Sequence, residues 1–533
     1  MIDTILLGGN IITLDNKQPR VQAIALSYGR VVALGADDQV RRLANAATKF
    51  VNLDGKTVLP GLTDAHLHWE AQALAMRSVN VFEVSDKSIA VERVRERVHE
   101  TPAEVWVQGQ GWAQDLWPDR AFPTRQDLDA VAPAHPVYLS AKSGHAAWVN
   151  SAALQRAGIS DSTSDPEGGQ IQRDADGAAT GILLETAMDL VSERIPRPTV
   201  DELADLMLEA QNHALHCGIT MIHDFDEPSC LAALQVLRER GELSLRALKQ
   251  INQQWLGAAL DSGIRSGFGD DWIRIGALKL FADGALGPKT ALMFEPYQGE
   301  PSNYGMAVVD KEEMIEYVSR ASAFGLPSCI HAIGDKAVHD TLDVFEVVRR
   351  EEAERGVQTQ DRRHRIEHVQ IIHPSDAGRL AELDVIASMQ PIHATTDRIT
   401  AVRYWGERTV YAYNPRLQLD QGARVVFGSD APVEPLDPFI GIHAAVTRER
   451  DGQPAGGWHP EARLSLHESL LGFTHGPAYA ARMEDRLGKL AEGFLADLIV
   501  LDRDIYQVEP EEILELKVLG TMVGGEWRYR AFD

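Results

Sequence analysis

Across residues 57–486 short apolar runs alternate with amphipathic stretches, and no other feature narrows the fold as much. "LPSCIHAIGD" precedes "KAVHDTLDVFEVVRRE", in which Val338, Leu342, Phe345 and Val348 recur at helical spacing. "HRIEHVQII" precedes "PSDAGRLAEL", and "RVVFGSD" precedes a proline-rich loop. Strand–helix units repeated over roughly 420 residues predict a (β/α) barrel. The stretch from about 70 to 200 is longer and less regular than one such unit needs. It carries the Trp-rich "WVQGQGWAQDLWPD" and the Gly/Asp-rich "SDPEGGQIQRDADG", and reads as an insertion. The two ends differ from the middle. Residues 1–56 and 487–533 are β-runs separated by Gly, Asn and Asp, which are strand and turn signals.

Barrel chemistry sits where strands end at the C-terminal face. "TVLPGLTDAHLHWE" ends its apolar run in His66 and His68, and side chains two apart on a strand share a face. Lys279 lies in "WIRIGALKLFADG", His331 in "SCIHAIGD", His368 in "HRIEHVQ" and Asp430 in "VVFGSDAP". A single histidine in such a place is usually a satisfied core residue, and a single Asp after a strand often only caps a helix. Six ligand-capable residues in this order, at predicted strand ends, point to one shared site. Neutral imidazoles with a carboxylate suit Zn²⁺ or a similar divalent ion. Such a centre would activate a water, and Asp430 could both bind metal and carry the proton.

The motifs resemble the amidohydrolase superfamily of metal-dependent hydrolases, and more narrowly its YtcJ-like branch. "VLPGLTDAHLH" is similar to the entry motif, "ADGALGPKTA" (282–291) to the branch's DGxLGxxTA, and "HAIGDKAVHDTLD" to the fifth-strand signature. "RIEHVQ" and "FGSDAPVEPLDPF" resemble the sixth and eighth, and "GKLAEGFLADLIVLD" the small closing β-sandwich. The resemblance implies an α/β fold: a (β/α)8 TIM-type barrel over 57–486, with an insertion of about 70–200 near its mouth. Residues 1–56 and 487–533 would form one composite β-sandwich. It implies metal ligation by His66, His68, Lys279, His331, His368 and Asp430, with one or two ions. A lysine at the fourth strand of binuclear members is carbamylated, so the resemblance implies a carbamylated Lys279. A charged Lys279 holding substrate or a nearby acid is the alternative.

Branch motifs also place Glu185 ("TGILLETA"), His145 ("SGHAAWVN") and His393 ("MQPIHATTD") against the substrate, each with a structural role as its alternative. Trp112 and Trp117 are candidates for an apolar pocket wall, though buried tryptophans more often simply pack. The expected activity is hydrolysis of an amide-type C–N bond in a small molecule. An esterase or lactonase on the same barrel and a non-catalytic regulatory homologue are the rival readings.

Acidic residues outnumber basic ones by 78 to 52, a net charge of −26, which argues against nucleic acid or an anionic membrane as partner. Three cysteines, Cys217, Cys230 and Cys329, without a CxxC pair, argue against a disulfide framework. The first residues read as strand and turn rather than a signal peptide, and no apolar run reaches membrane length, so the expected compartment is the cytoplasm. No Walker loop or Rossmann fingerprint follows a strand. The family resemblance makes a homodimer the expected assembly.

Overall fold

The computed structural model describes residues 2–82, 84–142 and 146–533, with Asp115 described by its backbone alone. The chain divides into two compact units, one of residues 1–72 and 203–533, the other of 73–202.

Eight parallel strands make the sheet at the heart of the first unit. In chain order they are β1 (Leu62–Leu67), β2 (Ile219–Asp224), β3 (Arg246–Asn252), β4 (Ile273–Phe281), β5 (Ser328–Ala332), β6 (Arg365–His368), β7 (Ile386–Met389) and β8 (Val425–Phe427). Each pairs with its neighbours in that order, from β1 to β8. β1, β2, β6, β7 and β8 are buried on both faces, as parallel strands covered by helices must be. Val338, Leu342, Phe345 and Val348 are all fully buried on the helix Asp335–Glu354, so the apolar stripe read from sequence is the face that covers the sheet.

The two edge strands meet without a regular ladder. The Asp430 N–H donates to the His66 carbonyl at 2.7 Å. Asp64 on β1 accepts from the Ser429 N–H (3.1 Å) and from its hydroxyl (2.5 Å). A Cβ on Gly428 would stand 2.4 Å from the His66 nitrogen, so only glycine lets β8 approach this closely. The sheet is therefore nearly closed into a barrel.

The strand before β1 pairs in a different sheet. Thr57–Pro60 pairs antiparallel with Leu498–Leu501, outside the barrel. The apolar run is continuous in sequence, but it changes sheets at Gly61, where a Cβ would meet Thr220 Oγ1 at 2.3 Å. Thr57–Pro60 belongs to a six-stranded sheet with Glu526–Arg530, Val518–Val523, Leu498–Leu501, Asn10–Ile12 and Arg20–Val21. A four-stranded sheet of Arg30–Gly35, Ala23–Ser27, Thr4–Leu7 and Lys49–Asn52 accompanies it. Leu6, Ile24 and Val31 of the smaller sheet and Val58, Leu498 and Met522 of the larger share one buried cluster. Asp497 joins these ends to the barrel through Arg246, with Nε–Oδ2 at 2.6 Å and both side chains almost fully buried.

The second unit has its own six-stranded sheet, in the order Gly169–Arg173, Ala179–Glu185, Ala146–Val149, Val137–Ala141, Val107–Trp112 and Val79–Asn80. Trp112, Trp117 and Trp148 meet in its core, with ring centroids 6.2–6.4 Å apart. Among the described residues no helix is long and apolar enough to cross a membrane.

Candidate metal centre

His66 and His68 leave the end of β1, His331 the end of β5 and His368 the end of β6, and Asp430 follows β8. Adjacent residues on a regular strand face opposite ways, yet Glu367 and His368 both reach the barrel interior. Left-handed backbone at His368 (φ 79°) and Val369 (φ 43°) breaks the alternation and swings the imidazole inward. Asp430 is also left-handed (φ 64°), held by the Ser429–Asp64 bonds on one side and by the His66 carbonyl on the other. Backbone of this kind persists only where its surroundings over-determine it.

The rings then converge. His66 lies 4.8 Å from His368 and 5.8 Å from His68 between centroids, and His331 lies 4.6 Å from His368. Asp430 Oδ1 is 3.5 Å from His66 Nε2 and 3.5 Å from His68 Nε2. One ligand atom each from His66, His368 and Asp430 fall within 4.8 Å of one another.

Each imidazole has its far nitrogen committed elsewhere. His66 Nδ1–H donates to Glu367 Oε2 at 2.7 Å, and His68 Nδ1–H to Asp226 Oδ1 at 3.0 Å. His331 Nε2–H donates to the Gly284 carbonyl at 3.0 Å, and His368 Nδ1–H to Gln390 Oε1 at 2.9 Å. Carboxylates and carbonyls only accept, so these partners fix the tautomers and leave a lone pair on His66 Nε2, His68 Nε2, His331 Nδ1 and His368 Nε2. His66 Nε2 is buried without a hydrogen-bond partner in the protein. A buried, unsatisfied lone pair beside a carboxylate is what a metal ligand looks like before its ion is added.

Electrostatics agree with this assignment for three of the four imidazoles. Burial, reinforced by nearby positive groups, holds His66 and His368 well below the usual histidine range and His331 at about 3, so all three stay neutral. Burial also lowers His68, but its bond to Asp226 and the nearby Asp430 charge prevail and raise it. Asp430 is pushed up to about 7 by burial, against the pull of His68 and Lys279. Lys279 on β4 is 2% exposed, and burial draws it below the ordinary lysine range. Its Nζ lies 4.8 Å from the Phe225 ring and 4.5 Å from Phe281, contacts that favour an ammonium and oppose the effect of burial.

A model described as Amidohydrolase family matches residues 49–529. The chain belongs to the amidohydrolase family. It is 30% identical to the putative amidohydrolase YtcJ of Bacillus subtilis, over 98% of each chain. It is also 30% identical to the N-substituted formamide deformylase of Arthrobacter pascens, over 99% of this chain and 98% of that one. Among solved structures, an uncharacterized metal-dependent hydrolase from Pyrococcus furiosus superimposes with a TM-score of 0.77 at 30% identity, covering 94% of this chain and 99% of the other.

The remaining residues singled out in this amidohydrolase fall differently. His393 borders the centre, with Nε2 at 3.8 Å from Asp430 Oδ2 and Nδ1 bonded to Gln370. Glu185 ends a strand of the second unit at φ 50° and lines a cavity of about 550 Å³ there with Gln114, Phe122 and Gln170. Trp112 as a pocket wall is corrected. It is fully buried, and its Nε1–H donates to the Leu139 carbonyl at 2.8 Å, so it packs the core. Trp117 is 2% exposed and borders a second cavity of that unit, of about 590 Å³, with Pro118 and Gln126. His145 lies outside the described residues.

The groups that orient these imidazoles carry little signal in the sequence. Glu367 and Arg365 form an ion pair at 2.8 Å inside the barrel, and Arg365 also bonds the Ala65 carbonyl, the Ser388 hydroxyl and His223 Nδ1. Two opposite charges at i and i+2 in the strand Arg365–His368, which is buried throughout, were the available signal. Asp226 and Gln390 carried none, because their partners stand 158 and 22 residues away.

Proposed function

We propose that this amidohydrolase cleaves an amide-type C–N bond of a small molecule, using a divalent ion held by His66, His68, His331, His368 and Asp430. The residues fit such an ion, since four imidazoles present fixed lone pairs and one carboxylate faces two of them at 3.5 Å. An ion bound there supplies Lewis acidity, polarising a carbonyl and lowering the pKa of a water. Lys279 fits the carbamate reading in that burial favours its neutral amine, the form that adds CO₂.

The observation that carries the proposal is the setting of Asp430. Its buried carboxylate stands among imidazoles at the barrel mouth, 3.5 Å from both His66 Nε2 and His68 Nε2, where it can reach a water held at the same point and carry its proton. It accepts the proton of the attacking water and returns it to the departing nitrogen. An amide nitrogen needs that proton before it can leave, whereas an alkoxide depends on it less. This asymmetry favours C–N over ester substrates, and the similarity to a formamide deformylase points the same way.

The test is a panel of N-substituted formamides, N-acyl amino acids, cyclic amides and matched esters, assayed with the native chain and Asp430→Asn. At least one amide class should exceed its ester in kcat/KM, and Asp430→Asn should lose at least about a hundredfold in kcat. Ester or lactone turnover above every amide would overturn the C–N reading.

A further inference from the structure

We infer that Phe281 is the specificity wall of this centre, and that the substrate carries an aromatic or bulky alkyl group next to its reacting carbonyl. The inference rests on the metal centre proposed above.

On β4, Ala277, Lys279 and Phe281 are two apart and so share a face. That face is the barrel interior, because Ala277 is buried against Phe225 and Cys329. Exposure along this row is 5% at Ala277, 2% at Lys279 and 40% at Phe281. Phe281 is therefore the uppermost interior side chain of its strand, one step nearer solvent than Lys279. It is paired across the ladder with His331. Its ring centroid is 5.2 Å from the His331 ring and 4.5 Å from Lys279 Nζ. The Phe281 ring thus offers an open aromatic surface 5.2 Å from the His331 ring, which itself lies 4.6 Å from His368 of the centre. Phe225, which faces the same interior, is by contrast packed at 2% exposure. An aromatic left open beside a polar centre loses its hydration cost when a ligand covers it.

A competing role is to shield Lys279. That role predicts that removing the ring disturbs the metal and leaves tail preference alone.

The experiment uses the zinc-loaded full chain and two chelating probes with the same head group, acetohydroxamate and benzohydroxamate. Titration calorimetry gives the ratio of their affinities without any turnover. Native protein should prefer the phenyl probe by at least about tenfold. Phe281→Ala should bring the ratio to about two or below, Phe281→Leu to an intermediate value, and both should keep the native zinc content. An unchanged ratio in Phe281→Ala overturns the inference. So does loss of zinc in both variants, or failure of both probes to bind the native protein. If the ratio responds as expected while no amide is hydrolysed, the wall stands and the C–N reading falls.

Discussion

Replacing Glu367 by Gln keeps the shape of the side chain and removes its charge from the barrel interior. Glu367 is fully buried, accepts a hydrogen bond from His66 Nδ1–H at 2.7 Å and pairs with Arg365 at 2.8 and 3.0 Å. Breaking one partner of a buried pair costs about 3–5 kcal/mol. The low end applies, since Arg365 keeps the Ala65 carbonyl (2.8 Å), the Ser388 hydroxyl (2.7 Å) and His223 (3.1 Å). With an unfolding entropy of about 0.8 kcal/mol per kelvin for a unit of roughly 400 residues, 3 kcal/mol lowers Tm by about 3–4 °C. Metal affinity falls separately. A glutamine either turns its NH₂ toward Arg365 to spare His66, or turns it toward His66 and flips the tautomer, placing N–H where the lone pair was. A loss of about 10–100-fold in metal affinity follows. Calorimetry on chelated protein reads the first effect without ligand linkage, and competition with a chromophoric chelator reads the second. Adding Arg365→Met should return most of the Tm and none of the metal affinity. A Glu367→Gln protein with native Tm and native affinity would refute the reasoning.

Lys279→Ala should lose at least one metal equivalent if a carbamate bridges two ions, with partial recovery on adding short carboxylic acids; native stoichiometry by elemental analysis would instead assign Lys279 to substrate. Asp497→Asn leaves the buried Arg246 guanidinium unpaired and should destabilise by about 3–5 kcal/mol, read by thermal unfolding, whereas Arg246→Met with Asp497→Leu should recover most of it. Glu468 accepts two bonds from Arg416 and others from Ser465, and although partial burial opposes them they hold it at about 2, below its ordinary 4.5. Its contribution is complete above pH 4.5 and is lost as pH falls toward 2, so Glu468→Gln should cost about 1 kcal/mol at pH 7 after discounting for solvent screening, and almost nothing at pH 2.

The barrel was legible because several of its strands are short apolar runs followed by a helical stripe, and burial on both faces writes such strands in plain hydrophobic letters. The convergence of His66, His68, His331, His368 and Asp430 was foreshadowed for a related reason: each interrupts or ends an apolar run at or just past a strand end. Their gathering about one point depends on what the sequence pattern does not carry. His368 faces inward only through left-handed backbone at 368 and 369. Asp430 is aimed by Asp64, which lies 366 residues earlier and bonds its neighbour Ser429. The move of Thr57–Pro60 into another sheet leaves no trace either, since an apolar strand reads alike in both. Trp112 shows the limit in the other direction, because a tryptophan-rich loop motif and a tryptophan-rich core have the same composition.

The central claim is that four tautomer-locked imidazoles and Asp430 hold a catalytic divalent ion, and metal analysis of the purified native chain tests it most directly. One to two equivalents of zinc or a similar ion should copurify, chelation should abolish hydrolysis, and readdition should restore it. Full activity in protein stripped of metal would contradict the account.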